Sequence, residues 1–296
     1  VLIESKDGLQ ALAAGTVIDA TGDGLVCRRA GMPMQVSAGG MQPMSLCFLL
    51  RNVDVTTALL RDHIHHTGLH GQSKHMGIYH ALQRLAEQGE DVPQFGGPWF
   101  NSTMQEDLIC VNITRAAANA ADRAHLTQAE CRMREDAYKL VALLRKLYPE
   151  FAKASIAEIA AQGGVRETYH IRGLYTLSGA DILGGAPCAD GVAFCSHPVD
   201  IHSAQDNTQT AQYFDTPCPV PYRVMVAAGF DNLIAAGRCV SCVDEAYASM
   251  RVQGTCMAIG EAAGVAAAMR RETGCAVTAV NTDDLRARLQ KQGAIV

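Results

Sequence analysis

The sequence predicts an α/β fold, and three observations carry that prediction. Residues 15–20 are an apolar, β-branched run that ends in the turn Thr21-Gly22-Asp23-Gly24, and a short helical pattern follows. Near the other end, residues 232–236 repeat the order, with a buried strand, a turn at Gly237-Arg238 and a long helix over 255–270. The chain between them carries mainly helical patterns. Units of strand, turn and helix favour a parallel sheet covered by helices.

The first residues are predicted to form two strands. Residues 1–4 and 14–20 are apolar runs, and the turn signal Ser5-Lys6-Asp7-Gly8 separates them. The helical pattern over 25–30 stops at Gly31 and Pro33. A strand that leads through a glycine turn into a helix places backbone N–H groups at the helix N-terminus, where an anion can be held.

The middle of the chain is predicted to be mainly helical. Helical spacing of apolar residues recurs in four segments: 54–66, 74–90, 127–148 and 156–161. In the longest of them, Thr127 and Glu130 have the spacing of a capping box. An apolar run over 44–53 indicates a strand, and residues 166–177 alternate like a second one.

The helix predicted over 255–270 is rich in small residues. Gly260 and Gly264 lie inside it, although glycine in a helix costs up to about 1 kcal/mol relative to alanine. We therefore expect this helix to approach a sheet or a flat ligand closely. Thr282 is predicted to cap a last helix over 283–290.

Composition excludes several classes of protein. The chain of 296 residues is 48% hydrophobic with a net charge of -5, which is typical of a soluble globular protein and gives no footprint for nucleic acid. No apolar run approaches the roughly 20 residues of a membrane span. Eleven scattered cysteines are typical of buried thiols in a reducing cytoplasm. Because Val1 opens directly into a predicted strand, we expect a piece of a longer protein.

Seven motifs follow one another in a characteristic order. They cover residues 17–24, 164–168, 198–202, 219–223, 231–238, 249–251 and 260–264. Together they resemble the FAD-dependent oxidoreductases related to the fumarate reductase and succinate dehydrogenase flavoproteins, over nearly the whole chain. The resemblance implies an enzyme that acts on a small organic substrate by hydride transfer at flavin N5.

The resemblance also implies which residues hold FAD. Gly22 and Gly24 lack the Cβ atom that would keep the dinucleotide from the backbone, and Gly237 does the same from the second turn. The start of the long helix is expected to point N–H groups at the pyrimidine edge of the flavin. The predicted cofactor-binding residues are Ala20, Thr21, Gly22, Asp23, Gly24, Gly237, Arg238, Thr255, Cys256, Met257 and Gly260.

The Gly-x-Gly-x-x-Gly motif that opens such FAD domains is missing from the sequence. We therefore expect an incomplete Rossmann-like FAD-binding domain, formed by residues 1–41 and 225–296, with an inserted α+β substrate or cap domain over 42–224. A missing N-terminal segment or a second polypeptide would complete the FAD site. These residues alone are expected to bind FAD poorly or not at all.

Chemistry at flavin N5 needs cations that hold the substrate and a group that gives or takes a proton. If residues 166–177 form a strand, Arg166, His170 and Arg172 share one face, and Glu167 shares the other with Tyr169. These charged residues are candidates for the substrate site. An ion pair between Arg166 and Glu167 that docks the cap domain is the alternative.

Two further candidates lie closer to the C-terminus. His197 and His202 flank Asp200, which could orient an imidazole as a general acid or base, although buried structural hydrogen bonds explain the pattern equally well. Arg251 precedes the long helix and is the strongest candidate for contact with a substrate anion.

Three alternatives remain open. Histidines 63, 65, 66, 70 and 75 could bind a metal, but a solvated helix end is the preferred interpretation, and we predict no metal site. Cys239 and Cys242 form a C-x-x-C pair that could be redox-active, although no thioredoxin-like pattern surrounds it. The chain could also be a non-catalytic remnant that keeps the fold without the cofactor.

Overall fold

A computed structural model describes residues 1–57, 76–185 and 188–296 of the chain. Its strands are β1 (Leu2–Ser5), β2 (Gly8–Ala11), β3 (Val17–Asp19), β4 (Met34–Gln35), β5 (Phe48–Arg51), β6 (Phe95–Ser102), β7 (Leu108–Thr114), β8 (Ser155–Ile159), β9 (His170–Ile171), β10 (Gly191–Cys195), β11 (Val199–His202), β12 (Gln209–Gln212), β13 (Cys218–Pro221) and β14 (Leu233–Ala235). Its helices are α1 (Leu25–Arg29), α2 (Met76–Glu87), α3 (Arg123–Leu147), α4 (Gly179–Gly184), α5 (Asp244–Met250), α6 (Gln253–Thr273) and α7 (Thr282–Lys291). This mixture of helices and strands confirms the predicted α/β class.

The described residues divide into two compact units. The first unit contains Val1–Gly40, Thr168–Ile201 and Thr210–Val296, and the second contains Met41–Glu167 and His202–Gln209. The predicted inserted segment, 42–224, thus differs from the second unit. Its later part joins the first unit because β10 pairs with β13 and packs against α6 in a shared core. The assignment of a cofactor role and a substrate role to these parts stays a prediction.

The first unit contains the two predicted strand ends side by side. β3 and β14 pair in parallel, with Val17 opposite Leu233 and Asp19 opposite Ala235. Both strands therefore end at the same edge. α6 buries Ile259, a stripe of alanines and Met269 in the core of this unit.

The second unit is built on a four-stranded antiparallel sheet in the order β6-β7-β5-β8. Phe48 and Val111 lie opposite each other in the sheet, and both are buried. Leu82 of α2 and Leu140 of α3 belong to the same apolar cluster. The sheet and the two helices thus share one core within this unit.

Two predicted helix caps are wrong. α3 begins earlier than predicted, because the Asp122 carboxylate accepts hydrogen bonds from the amides of Ala124 and His125. The Thr127 hydroxyl instead donates to the Arg123 carbonyl one turn back. At α7 the cap is Asn281 rather than Thr282. In both cases a better acceptor stands nearby, just before the predicted cap.

Two predicted elements in the middle also differ. The helix predicted over 156–161 is wrong, because β8 pairs there with β5 and long-range pairing overrides helical spacing. In the segment 166–177 only β9 is a strand, and it pairs with β4. The shared face predicted for Arg166, His170 and Arg172 is therefore wrong. Residues 54–57 form a turn, and the rest of the helix predicted over 54–66 lies outside the described residues, as do the five histidines.

Among the described helices, none combines the length and the apolar character that a membrane crossing requires.

Candidate functional site

The turn after β3 is organised by the buried carboxylate of Asp19. Its Oδ1 accepts hydrogen bonds from the amide and hydroxyl of Thr21, at 3.1 and 2.7 Å, and its Oδ2 accepts from the Cys27 amide at 2.8 Å. The Thr21 hydroxyl in turn accepts from the amides of Asp23 and Leu25. The carboxylate thus ties the strand end, the glycine turn and α1 together. Sequence reasoning predicted the turn but missed Asp19.

Asp19 is ionised because its hydrogen bonds outweigh its burial. Burial alone raises the pKa of this carboxyl, but the donors of Cys27 and Thr21 stabilise the charged form and lower the pKa below the ordinary 3.8. At neutral pH the Asp19 carboxylate is therefore charged, and both of its oxygens accept hydrogen bonds from the turn at residues 21–24 and from α1.

The glycine at position 22 makes room for an arginine side chain. Gly22 has a φ of +77°, and a Cβ atom there would lie 2.8 Å from the Cζ atom of Arg238. The Arg238 guanidinium donates to Asp23 Oδ1 at 2.5 Å, and the Thr168 hydroxyl donates to the same oxygen at 2.9 Å. We expected the bare backbone at Gly22 to face a dinucleotide directly. In the structure the Arg238 side chain takes that space, because Asp23 draws it across the turn.

The second glycine turn is open. Gly237 has a φ of +86°, and none of the described residues places an atom within 4 Å of the position that a Cβ atom would take. The Ala236 amide donates to the Asp19 carbonyl at 2.9 Å. The turn after β3 and the turn after β14 therefore begin side by side. Within the described part of the chain, the buried Nε atom of Arg238 has no hydrogen-bond partner.

The N-terminus of α6 lies near the same arginine. It has no side-chain cap and no acidic residue in its first turn, so its first amides are available to an acceptor. Burial raises the pKa of the Cys256 thiol, and Arg238 is close enough to lower it in part. Arg238 thus connects the glycine turns to the start of the helix.

The outer face of α6 carries small and exposed residues. Met257 is 74% exposed, and no atom of the described chain lies within 4 Å of a Cβ atom placed on Gly254, Gly260 or Gly264. By contrast, Thr255 faces the interior. We expected a sheet or a flat ligand to pack closely against Gly260 and Gly264, and none of the described residues does so.

Arg251 is held by an aspartate. Its Nη2 atom donates to the carbonyl and to the Oδ2 atom of Asp200, at 3.1 and 3.0 Å, and its buried Nε atom has no partner among the described residues. His197 Nδ1 lies 2.8 Å from the carbonyl oxygen of Pro198, and the Ser249 hydroxyl donates to the His197 carbonyl. The sequence pattern suggests that Asp200 orients a histidine, and the structure shows that its carboxylate pairs with Arg251.

The second unit brings together three of the predicted site residues: Arg166, Glu167 and His202. The Gln42 amide donates to Glu167 Oε2 at 2.9 Å, and the His202 amide donates to Gln42 Oε1 at 3.3 Å. Arg166 donates to the Pro43 carbonyl and to the Ser45 hydroxyl, both at 2.7 Å. Segment 42–45, which sequence reasoning missed, therefore links all three.

His202 also contacts a fully buried arginine. Nη2 of Arg115 lies 3.1 Å from His202 Nδ1. Nη1 of Arg115 donates to the carbonyls of Asp206 and Thr208. The two side chains are 87 positions apart in the sequence, and no local pattern could have paired them.

His170 and Arg172 lie in different environments of the first unit. His170 is completely buried, with its ring 4.5 Å from that of Tyr247 and its Nδ1 atom 4.0 Å from the Cys242 sulfur. The side chain of Arg172 is exposed, while its amide donates to the Pro33 carbonyl. The substrate-site roles predicted for both residues stay predictions.

A family model described as FAD dependent oxidoreductase matches residues 1–289 of the chain. The chain belongs to this family. The FAD-dependent oxidoreductase has FAD as its cofactor, in agreement with the resemblance seen in the sequence. No curated protein and no solved structure matches the chain.

The first unit of this FAD-dependent oxidoreductase has groups that suit FAD. Arg238 offers an orphaned buried N–H group, α6 offers an uncapped N-terminus, and Gly237 leaves its backbone open. These are donors for phosphate and for the electronegative edge of a flavin. The residues present therefore fit the cofactor, with Arg238 rather than bare Gly22 facing the first turn.

The C-x-x-C pair of the oxidoreductase has its thiols directed at separate partners. Cys239 lies near the carbonyls of Asp19 and Ala236, whereas Cys242 lies near His170. Burial, with a smaller contribution from Asp19, raises the pKa of Cys239 to about 12. Both thiols are fully buried. These features favour structural cysteines over a redox pair.

We expect Cys239 and Cys242 to react with a thiol-alkylating reagent at least about tenfold more slowly than the exposed Cys131, because a buried neutral thiol is neither accessible nor ionised. Mass spectrometry of the native protein after timed alkylation measures this. A disulfide between the two cysteines, or labelling as fast as that of Cys131, would contradict the structural role.

The described residues contain no group of three or more metal-binding side chains.

Proposed function

We propose that this FAD-dependent oxidoreductase transfers hydride between a small organic substrate and flavin N5. Bound FAD supplies the two-electron chemistry. The observation that carries the proposal is the convergence, within one unit, of two glycine turns, the Nε atom of Arg238 and the start of α6. The described residues give that Nε atom no partner and that helix start no side-chain cap. A purely structural turn has no need of an orphaned buried donor.

The proposed cofactor contacts follow from this convergence. Arg238 and the backbone at Gly237 would hold phosphate and ribityl oxygens, and the first turn of α6, from Gln253 to Cys256, would hold the flavin ring. Asp23 holds Arg238 in place until an anion arrives. Met257 and Gly260 lie on the exposed helix face, where a flat ligand or a packing partner can approach.

The proposed substrate contacts are charged residues other than the proposed cofactor contacts. Arg251 has an Nε–H group without a partner among the described residues, beside its ion pair, and is proposed to bind a substrate anion. Glu167 is proposed to exchange a proton with the substrate, His202 to make a polar contact with it, and Arg166 to orient them through segment 42–45. Roles for His170 and Arg172 belong to the same proposal.

We further propose that another βαβ unit, carrying Gly-x-Gly-x-x-Gly, supplies the adenine half of the FAD site. In the described part of the chain β3 pairs only with β14, which leaves one edge open for a parallel strand. The β1–β2 hairpin exposes Leu2 and Leu9, although an isolated hairpin is marginally stable in water. A segment of the same protein or a second polypeptide would cover the open edge of β3, the β1–β2 hairpin and the outer face of α6.

The test of the proposed function is the absorbance spectrum of the full-length protein. We expect a yellow protein with the bands of oxidised flavin, which bleach when substrate or dithionite is added anaerobically. Residues 1–296 alone are expected to take up little FAD. A colourless full-length protein that refuses added FAD would favour the alternative of a non-catalytic remnant.

A further inference from the structure

Arg115 is an unusual component of the second unit, because it is an arginine that is only 1% exposed. Its polar contacts include the Asp206 carbonyl at 3.3 Å, the Thr208 carbonyl at 3.0 Å and His202 Nδ1 at 3.1 Å. Two of these fix the guanidinium to the main chain. The third joins it to an imidazole that is itself 6% exposed.

The chemistry of the two groups decides which atom carries the proton. A guanidinium only donates hydrogen bonds, and it stays charged at any physiological pH. The contact with Arg115 therefore requires a lone pair on His202 Nδ1. A proton on Nδ1 would place two N–H groups against each other at 3.1 Å, next to a positive charge. The compatible form is the neutral imidazole with its hydrogen on Nε2.

We infer that Arg115 is a positioning residue that locks His202 in the neutral Nε2–H tautomer, in which Nε2 is the ring's hydrogen-bond donor. The use of this donor toward a substrate carbonyl or carboxylate rests on the proposed function. The tautomer itself does not, because it follows from contacts within the second unit.

The surroundings make room for the guanidinium and hold the carbonyls that accept from it. A Cβ atom on Gly96 would lie 2.8 Å from the Arg115 Cζ atom, so the absence of a side chain at position 96 makes room for the guanidinium. The loop between β11 and β12 is closed by the Asp206 carboxylate, which accepts from the amide and hydroxyl of Thr208 at 2.8 and 2.6 Å. Gln94 donates to the carbonyls of Ala204 and Asp206. The carbonyls that bind Arg115 are therefore rigidly placed.

The charge of Arg115 is compensated locally. The Asp206 carboxylate is close enough to the guanidinium that Arg115 contributes to the lowering of its pKa, after the hydrogen bonds from Thr208 and Ser203. Buried charges in proteins are found paired and hydrogen-bonded, and Arg115 meets this condition through its two carbonyl acceptors and the nearby carboxylate. A positive charge on His202 would repel the guanidinium at 3.1 Å, so the neutral imidazole is the form consistent with the whole cluster.

The experiment is nitrogen NMR on the full-length protein with labelled histidine and arginine. The His202 signals are assigned by their loss in His202→Gln. In the wild type we expect a bare Nδ1, a protonated Nε2, and a scalar coupling between Arg115 Nη2 and His202 Nδ1 across the hydrogen bond. In Arg115→Met we expect this coupling to vanish and a second tautomer to appear. Arg132→Met, which removes an exposed arginine of α3, is the matched control and should leave the His202 signals unchanged.

Gly96→Ala provides a second variant in case Arg115→Met does not fold. It keeps the arginine but pushes its guanidinium away, so we expect a weakened coupling and a partial loss of the single tautomer. A wild-type His202 protonated at Nδ1, or an unchanged tautomer in folded Arg115→Met, would overturn the inference. Because neither signal depends on FAD or turnover, a failure of the proposed function appears separately, as a colourless protein with an intact Arg115–His202 coupling.

Discussion

Replacing Gly22 by alanine is expected to weaken FAD binding to the full-length protein at least about tenfold, which corresponds to about 1.4 kcal/mol. Two physical effects act together. The left-handed backbone at φ +77° costs a residue with a Cβ atom about 1–2 kcal/mol. The new methyl group would also lie 2.8 Å from the Arg238 Cζ atom and displace the guanidinium from Asp23. The proposed phosphate donor is then out of position.

Fluorescence titration of FAD against the purified variant measures this effect, and Gly229→Ala is the matched control. Gly229 has a similar φ of +81°, but in the described part of the chain no atom lies within 4 Å of the position that its Cβ atom would take. The control thus carries the same backbone strain without touching Arg238. Equal FAD affinity in Gly22→Ala and in the wild type would contradict the placement of the cofactor at this turn.

Replacing Asp19 by alanine is expected to lower the free energy of unfolding of the protein by about 3 kcal/mol or more. The carboxylate satisfies the amides of Thr21 and Cys27 and the Thr21 hydroxyl. Hydrogen bonds to a charged group contribute about 1.5–3 kcal/mol, and a buried donor left without a partner costs about 1–3 kcal/mol. Urea denaturation followed by circular dichroism measures the change.

Asp54→Ala is the matched control for this prediction. The Asp54 carboxylate holds the amide and hydroxyl of Thr56 in the same way, at 3.1 and 2.7 Å, but in an exposed turn where water can replace it. We expect only a small change in this variant. If Asp54→Ala and Asp19→Ala destabilise the protein equally, the larger contribution that we assign to the buried hydrogen bonds of Asp19 is wrong.

The Asp19 contribution should also depend on pH. Its pKa in the folded protein lies below the ordinary value, because its hydrogen-bond donors outweigh its burial. The stabilisation is therefore complete above the unfolded pKa of about 3.9 and is lost as the pH falls toward the folded value. The difference in unfolding free energy between the wild type and Asp19→Ala should accordingly shrink below about pH 4.

The parts of the candidate site that the sequence predicted are those set by short-range spacing. The turns at 21–24 and 237–238 and the helix after Arg251 follow from strand and glycine patterns, and the structure contains them. The helix predicted over 156–161 failed because pairing with β5 is a long-range effect. The same holds for the contacts of Arg115 with His202 and of Arg251 with Asp200, which join residues 87 and 51 positions apart. A single sequence contains no spacing rule for such contacts.

The pairing of Arg238 with Asp23 has a consequence for ligand choice. Because the guanidinium already has an intramolecular counter-ion, an incoming anion must compete with a carboxylate fixed 2.5 Å away. A monoanion that replaces the carboxylate gains little binding free energy, whereas a diphosphate can displace it because several of its oxygens accept hydrogen bonds from the guanidinium at once. The protein would thus discriminate among anions by their charge and number of oxygens, and would ignore the common salts of its surroundings.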